Sequence, residues 1–117
     1  MEKLGCTQVR IPGDVIYEFG IRSESDPQLE EKFFTPYANL FQRRIPFFLT
    51  MGNHDHLGRV GPWVQVSEKN PLVIFPGLYY SELWNNQVCF FNFDSQMFVT
   101  FFPDPDAEKQ KRWLAIR

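Results

Sequence analysis

Polar and apolar residues alternate over residues 6–11, which places Val9 and Ile11 on one face and predicts a short β-strand. A mostly apolar run over residues 45–51 predicts a second strand, buried on both faces because it carries almost no polar side chain. With a helix between them, the two strands form a βαβ unit over about residues 6–51, so we expect a parallel pair. The loops after the strands should then meet at one edge of the sheet, where open α/β sheets bind ligands.

The segment between the two strands has the pattern of an amphipathic helix. Asp26 suits the N-cap position, and Pro27 suits the first helical position. Apolar side chains then recur at helical spacing, at Leu29, Phe33, Pro36/Tyr37, Leu40 and Phe41. Pro36 interrupts this stripe, and we expect it to kink the helix or to end its first half.

The second half of the chain has a different pattern. Residues 79–84 and 87–94 are predicted to form a hairpin closed by an Asn-Asn turn at Asn85 and Asn86. Residues 98–102 are apolar but are followed by Pro103, which leaves a short strand and an aromatic loop as alternatives. Asp106 is predicted to cap a last helix. Because that helix reaches the last residue without a C-cap, we expect the chain to belong to a larger fold.

Composition limits the class of protein. The 117 residues, 44% hydrophobic and 22% charged, fit one folded domain with a modest core. A net charge of −2 gives no basis for binding nucleic acid or an anionic membrane, and no apolar run approaches the ~20 residues of a bilayer span. No secretory signal is recognised, so no compartment is assigned. Cys6 and Cys89 exclude a disulfide scaffold and leave a single bridge open.

Aromatic residues are unusually common, at 17% of the chain. So many large side chains need more buried volume than a short chain easily offers. We interpret the phenylalanine stripe as core, or as a surface that the rest of a larger fold would cover. An aromatic surface left uncovered would leave self-association open.

Two short clusters carry the candidate chemistry, Gly13-Asp14-Val15-Ile16-Tyr17 and Gly52-Asn53-His54-Asp55-His56. Each follows a predicted strand, so the βαβ unit brings them together. Carboxylate, phenol and amide oxygens of Asp14, Tyr17 and Asn53 are ligands that hard cations prefer. A trivalent cation also lowers the pKa of a phenol enough to ionise it.

The two clusters, in this order and with 39 positions from Asp14 to Asn53, resemble the purple acid phosphatases of the calcineurin-like metallophosphoesterases. Residues 45–58 are most similar to the tartrate-resistant branch. The resemblance implies an α/β fold, a portion of the βα-β sandwich of that superfamily. It also implies hydrolysis of phosphate monoesters by a dinuclear centre, ferric iron beside a divalent iron, zinc or manganese ion.

The resemblance also implies roles for individual residues. Asp14 would bridge the two metals, Tyr17 would bind ferric iron and Asn53 would bind the divalent ion. His54 would be the catalytic residue, facing the substrate phosphate and protonating the leaving alkoxide. Asp55 would hold the loop and orient His54 without binding metal. His56 is interpreted as another histidine of this loop that supports the site and binds no metal.

The sequence also departs from the family pattern. The family's Asp-x-Gly strand motif should precede Asp14, and its downstream histidine motifs should follow, but the chain has only His54 and His56. We therefore expect residues 1–117 to be one partial phosphoesterase domain with an incomplete metal site. The alternative is a truncated, non-catalytic remnant that acts as a structural or interaction protein.

Overall fold

A computed structural model describes residues 5–99 and 104–116. Its strands are β1 (Val9–Ile11), β2 (Phe47–Leu49), β3 (Val73–Ile74), β4 (Tyr80–Trp84) and β5 (Val88–Asn92). Its α-helices are α1 (Ala38–Gln42), α2 (Asn53–Leu57), α3 (Pro62–Lys69) and α4 (Pro105–Ile116). A π-helical turn covers Glu30–Phe34, and a 3-10 helix covers Ser95–Phe98. Within the described residues, no helix combines the length and apolar character needed to cross a membrane.

The predicted parallel pair is confirmed, and it belongs to a three-stranded sheet in the order β1-β2-β3. Val9 pairs with Phe47, and Phe47 pairs with Val73, with parallel register throughout. The strands are shorter than predicted, since β1 begins at Val9 and β2 covers only Phe47–Leu49. All three residues of β2 are buried, as expected of a central strand. β1 lies outside it, where the polar Arg10 is tolerated.

The segment after Asp26 is helical but irregular. The Asp26 carboxylate accepts hydrogen bonds from the backbone N–H groups of Arg22 and Gln28, so it caps this segment as predicted. The π-helical turn ends before Pro36, and α1 starts only at Ala38, so the proline ends the first half of the helix.

The apolar stripe of this segment forms the core, as predicted. Phe33 is 1% exposed and its ring packs against five other aromatic rings, those of Phe34, Tyr37, Phe41, Phe47 and Trp63. All five contacts are edge-to-face, with interplanar angles between 63° and 89°, the geometry that aromatic quadrupoles favour. The excess of aromatic residues is therefore used largely to fill this region beneath the sheet.

The predicted hairpin is also confirmed. Tyr80 pairs with Asn92 and Trp84 with Val88 in an antiparallel register. Asn85 and Asn86 both have positive φ, of 52° and 55°, which is the requirement of a type I′ turn and the reason that asparagine suits it. Three polar contacts tie the hairpin and its end to the parallel sheet and its loops: Tyr80 Oη to Leu49 O, Arg10 to Glu82, and His56 to Asp94.

Other predictions for the second half need correction. The cap of α4 is Asp104, whose Oδ1 accepts a hydrogen bond from the N–H of Asp106 at 2.8 Å. The assignment of Asp106 as the cap was wrong because the helix already starts at Pro105, so that Asp106 lies within its first turn. Phe98 ends a 3-10 helix, and neither alternative applies to it; residues 100–103 lie outside the described residues. Both cysteines are free thiols.

Candidate functional site

The two sequence clusters meet at the carboxyl edge of the parallel sheet. The loop after β1 carries Asp14 and Tyr17, and the loop after β2 leads into α2 with Asn53 and His54. Asp14 Oδ1 accepts a hydrogen bond from the backbone N–H of His54 at 3.0 Å, and its Oδ2 accepts one from the Tyr17 hydroxyl at 2.8 Å. The two loops, about forty residues apart in sequence, therefore share one carboxylate.

The buried side chain of Asp55 connects these two loops through hydrogen bonds. Its side chain is 1% exposed, and its carboxylate accepts hydrogen bonds from the N–H groups of Val15, Ile16 and Gly52 at 2.9–3.2 Å. A buried carboxylate is stable only with such partners. Asp55 thus holds the loop as the resemblance implies, but its carboxylate contacts backbone N–H groups and not the His54 ring.

The close approach of the loops depends on Gly52. A Cβ atom at this position would collide with both the carboxylate and the backbone nitrogen of Asp14. Asp14 itself has a φ of 52°, in the left-handed region that aspartate tolerates better than most residues. The local sequence Gly-Asp followed by Gly-Asn is therefore what allows the two backbones to touch.

The His54 ring is held by the first loop. Its Nδ1 lies 2.6 Å from the backbone oxygen of Glu18, and its ring centroid lies 4.6 Å from that of Tyr17. Because a carbonyl oxygen only accepts, Nδ1 carries the proton in this contact. Nε2 has no partner among the described residues and is the ring atom available to a ligand.

The electrostatics of Asp14 and Tyr17 are coupled. Partial burial pushes the pKa of Asp14 upward, but hydrogen bonds from His54 N–H and Tyr17, with the charge of His54, outweigh it and hold that pKa below its usual value. The hydrogen bond to Asp14 is the main reason that the pKa of Tyr17 is raised. At neutral pH, Tyr17 is therefore a neutral phenol that donates to an ionised Asp14.

Asp14 and Asn53 line one cleft of about 310 Å³ at this edge. Its remaining lining comes from the two sheet loops and from the segment after β5, at Pro12, Gly13, Thr50, Met51, Gly52, Phe93, Ser95 and Gln96. Asn53 is the first residue of α2 and is exposed, so its amide faces solvent without a partner among the described residues. The cleft is large enough for a phosphate group and a small organic substituent.

His56 takes part in a polar network that the sequence analysis did not find. Its Nε2 lies 2.5 Å from Oδ2 of the fully buried Asp94. Gln110 of α4 accepts from the N–H of Asp94 at 2.6 Å and donates to its carbonyl oxygen at 3.0 Å. The network connects the loop of α2 to the end of β5 and to α4. The one signal for it was an aspartate, Asp94, two residues after the end of the aromatic strand β5.

Oxygen atoms of Asp14, Tyr17 and Asn53 are the donors at this edge that belong to the types preferred by hard cations. The Tyr17 and Asp14 oxygens lie 2.8 Å apart, and Asn53 lines the cleft together with Asp14 but not with Tyr17. Over residues 5–99 and 104–116, however, no group of three or more histidine, cysteine, aspartate or glutamate side chains is placed to hold a metal. The described residues therefore do not fit a complete dinuclear centre.

Comparison with known proteins gives partial similarities. The chain is 31% identical to tartrate-resistant acid phosphatase type 5 of Mus musculus over 80 residues, which are 68% of this chain and 24% of that protein. It is 30% identical to the Homo sapiens protein of that name over 77 residues, 66% of this chain and 24% of that protein. The chain thus spans about a quarter of the length of these relatives. No protein-family model matches it. These similarities support a relationship to the acid phosphatases.

Proposed function

We propose that this chain carries part of the active site of a metal-dependent hydrolase of phosphate monoesters, of the purple acid phosphatase type. The observation that carries the proposal is the cluster of Asp14, Tyr17 and His54, which two separate loops bring within hydrogen-bond distance. The similarity to acid phosphatases supports it independently of that geometry. The chain would then be a portion of a larger βα-β sandwich, a single partial domain.

Asp14, Tyr17 and Asn53 are the residues that would hold a cation. A cation bound there would polarise the phosphate and neutralise charge that develops during hydrolysis. The resemblance implies ferric iron beside Asp14 and Tyr17 with a divalent ion beside Asp14 and Asn53, and these three side chains would be only part of the ligands of such a pair. Because Tyr17 already lies against the Asp14 carboxylate, binding a cation would displace its proton and reverse the raised pKa.

The role of His54 follows from the atom that it leaves available. Its Nδ1 is fixed by the carbonyl of Glu18, so a protonated ring would present Nε2–H toward a ligand in the site. From there it would stabilise the phosphate charge and give its proton to the leaving alkoxide, so that a phosphate ester and water yield phosphate and an alcohol. Asp55 and His56 would bind no substrate and would keep the loop in place.

Ferric titration tests the proposed metal position. A ferric ion bound by Tyr17 gives a visible phenolate charge-transfer band, and we expect such a band when ferric iron is added to the purified chain. Tyr17→Phe should abolish it, whereas Tyr79→Phe, which alters a tyrosine packed against Trp113, should leave it unchanged. A band that survives Tyr17→Phe, or no band at any ferric concentration, would contradict the proposal.

The incomplete donor set also predicts how active the isolated chain is. Three oxygen ligands do not hold two ions, so we expect weak metal binding and turnover of a chromogenic phosphate ester close to background. Turnover that depends on iron, zinc or manganese, and is lost in both Asp14→Ala and Asn53→Ala, would show instead that these residues suffice.

The second candidate function is a non-catalytic interaction protein. It is favoured by apolar side chains exposed on the hairpin and beyond it, where Leu83, Val88, Phe91 and Phe93 are 43–59% exposed. If that surface mediates self-association, sedimentation should show a concentration-dependent dimer that Leu83→Ser together with Val88→Ser abolishes.

A further inference from the structure

Two side chains of the helical segment that precedes α1, Gln28 and Lys32, contact the loop after β1. Lys32 Nζ donates hydrogen bonds to the backbone oxygen of Tyr17 at 2.5 Å and to Gln28 Oε1 at 2.9 Å. Gln28 Nε2 donates to the backbone oxygen of Gly20 at 3.0 Å. Residues four positions apart on a helix lie side by side, so the two side chains act together. They hold both ends of this stretch of the loop, and the function proposed above gives them no role.

Burial does not hold the outer part of this loop in place. Tyr17 is 52% and Phe19 is 62% exposed, and Glu18 between them is exposed as well. Apolar packing therefore contributes little to the position of these residues, whereas the carbonyl oxygens of Tyr17 and Glu18 are both held by hydrogen bonds. A hydrogen bond from a charged ammonium group is stronger than one between neutral groups, so the Lys32 contact is well suited to fix this backbone.

The peptide group that Lys32 contacts leads directly to the His54 ring. The Tyr17 carbonyl belongs to the planar peptide group that ends at the Cα atom of Glu18, so fixing that oxygen also fixes where Glu18 begins. The next carbonyl oxygen, that of Glu18, lies 2.6 Å from His54 Nδ1, and the Tyr17 ring centroid lies 4.6 Å from that of His54. A displacement of this peptide group would therefore disturb both contacts of the ring.

The hydrogen bond at Nδ1 decides which nitrogen of a neutral His54 ring carries the proton. Because the Glu18 carbonyl oxygen only accepts, it favours the tautomer with the proton on Nδ1 and leaves Nε2 open to the site. An imidazole ring without a fixed partner populates both tautomers. The ratio of the two tautomers therefore measures how firmly the Glu18 carbonyl is held.

We propose that Lys32 is a positioning residue of the candidate site: supported by Gln28, its ammonium group holds the peptide group between Tyr17 and Glu18, so that the Glu18 carbonyl orients the His54 ring. In this role Lys32 contacts neither substrate nor metal and acts only through His54. Its importance for hydrolysis rests on the proposed function, because a general acid is effective only when it is held closely in place. Its effect on the ring requires no metal and no substrate.

Nitrogen-15 NMR of the histidine rings tests the inference on the full chain without metal, at about pH 9, where an imidazole ring is neutral. The chain has only two histidines, so His56→Gln assigns the signals of His54. We expect the Nδ1–H tautomer to predominate in the unsubstituted chain. Lys32→Met removes the charge and the donor, and it should lower the ratio of Nδ1–H to Nε2–H about fivefold. Lys32→Arg should restore most of the ratio, because arginine also supplies a cationic N–H donor.

Matched variants separate this role from a general contribution to folding. Lys69→Met makes the same change at an exposed lysine of α3 and should leave the ratio unchanged. Gln28→Leu removes the support of Lys32 and should lower the ratio less than Lys32→Met does. A ratio that Lys32→Met does not change, or that Lys32→Arg does not restore, would overturn the inference. Lost hydrogen-exchange protection at the Val15 and Gly52 amides in Lys32→Met would also overturn it, since Lys32 would then support the whole loop.

Ferric titration of the same variants separates this inference from the proposed function. If the unsubstituted chain shows no ferric band but its tautomer ratio depends on Lys32, the proposed function fails and Lys32 still positions the His54 ring. If the band appears and Lys32→Met leaves the ratio unchanged, the proposed function stands and the positioning role is overturned. Absence of both the band and the dependence on Lys32 would overturn both.

Discussion

In the parallel sheet, every residue of β2 is buried, whereas both strands of the hairpin contain exposed residues beside buried or half-buried ones. The sheet rests on the aromatic cluster around Phe33, whose members contact one another through their rings. The hairpin packs on the sheet through the Trp84 ring, edge-to-face with Phe48 at 6.0 Å, and adds polar contacts that the cluster lacks, such as the Tyr80 hydroxyl on the Leu49 carbonyl at 2.8 Å. Burial of apolar area is not directional, but hydrogen bonds and ion pairs are.

The contact between Arg10 and the hairpin shows how specific such a connection is. The guanidinium of Arg10 lies over the rings of Phe48 and Phe90, 4.4 Å and 3.4 Å from their centroids, and pairs with Glu82. It therefore joins β1 to both strands of the hairpin. We interpret the two regions as having different roles. The aromatic cluster supplies most of the stability, and the polar contacts fix the position of the hairpin beside the cleft.

Substitution in the aromatic cluster should lower the free energy of unfolding more than substitution at any of the polar contacts. Phe33→Ala removes a ring that is 1% exposed, and we expect the free energy of unfolding to fall by about 3–5 kcal/mol in urea titrations. Phe91→Ala, at a hairpin position that is 43% exposed, should cost about 1 kcal/mol or less. Phe33→Leu provides a milder variant that stays folded. Equal losses at positions 33 and 91 would remove the proposed distinction between the regions.

A smaller effect is expected where polar contacts hold the site itself. In Asp55→Asn, an NH₂ group replaces an oxygen that accepts backbone hydrogen bonds, so two hydrogen-bond donors would face each other. We expect the free energy of unfolding to fall by about 2–3 kcal/mol. Hydrogen exchange should show lost protection at the amides of Val15, Ile16 and Gly52. Asp106→Asn, on the exposed side of α4, serves as the control and should leave those amides unchanged.

The meeting of the two loops could be predicted from sequence because its cause is local. Apolar runs defined the two strands, and parallel strands place their following loops at one edge. The hairpin was equally predictable, since Asn85-Asn86 specifies its turn. The unit formed by α3 and β3 was missed because β3 is only two residues long, too short for a periodic pattern.

The hydrogen bonds that hold the site residues in place could not be predicted, because they join residues that are distant in the sequence. Asp55 was expected to orient His54, and only the folded chain shows that the carbonyl of Glu18 contacts the ring instead. His56 and Asp94 are 38 positions apart, and no local pattern pairs them. The roles of Asp14, Tyr17, Asn53 and His54 in metal binding and catalysis stay predictions, to which the structure adds their mutual contacts.

The smallest effect concerns the polar contact between His56 and Asp94, and it should depend on pH. The hydrogen bond to Asp94 raises the pKa of His56 above its ordinary 6.5; burial opposes this, and the charges of Asp94, Asp55 and Asp104 add to it. Because the folded chain binds the proton more tightly than the unfolded chain, this stabilisation is complete below pH 6.5 and disappears as the pH rises through the raised value. We expect about 1 kcal/mol, measured as the difference in unfolding free energy between acidic and alkaline buffers.

Variants at both ends of this contact show whether it holds the hairpin and α4 in place. His56→Gln and Asp94→Asn should each remove the pH-dependent part, whereas Asp104→Asn, which acts only through its charge, should keep most of it. Near-ultraviolet circular dichroism from Trp113, which packs against Tyr79 and Phe91, reports the packing of α4 on the hairpin. That signal should weaken at alkaline pH while the aromatic cluster stays folded. If the Trp113 signal and the folded aromatic cluster are lost at the same pH, the two regions unfold as one unit. The polar contacts would then not hold the hairpin independently of the cluster.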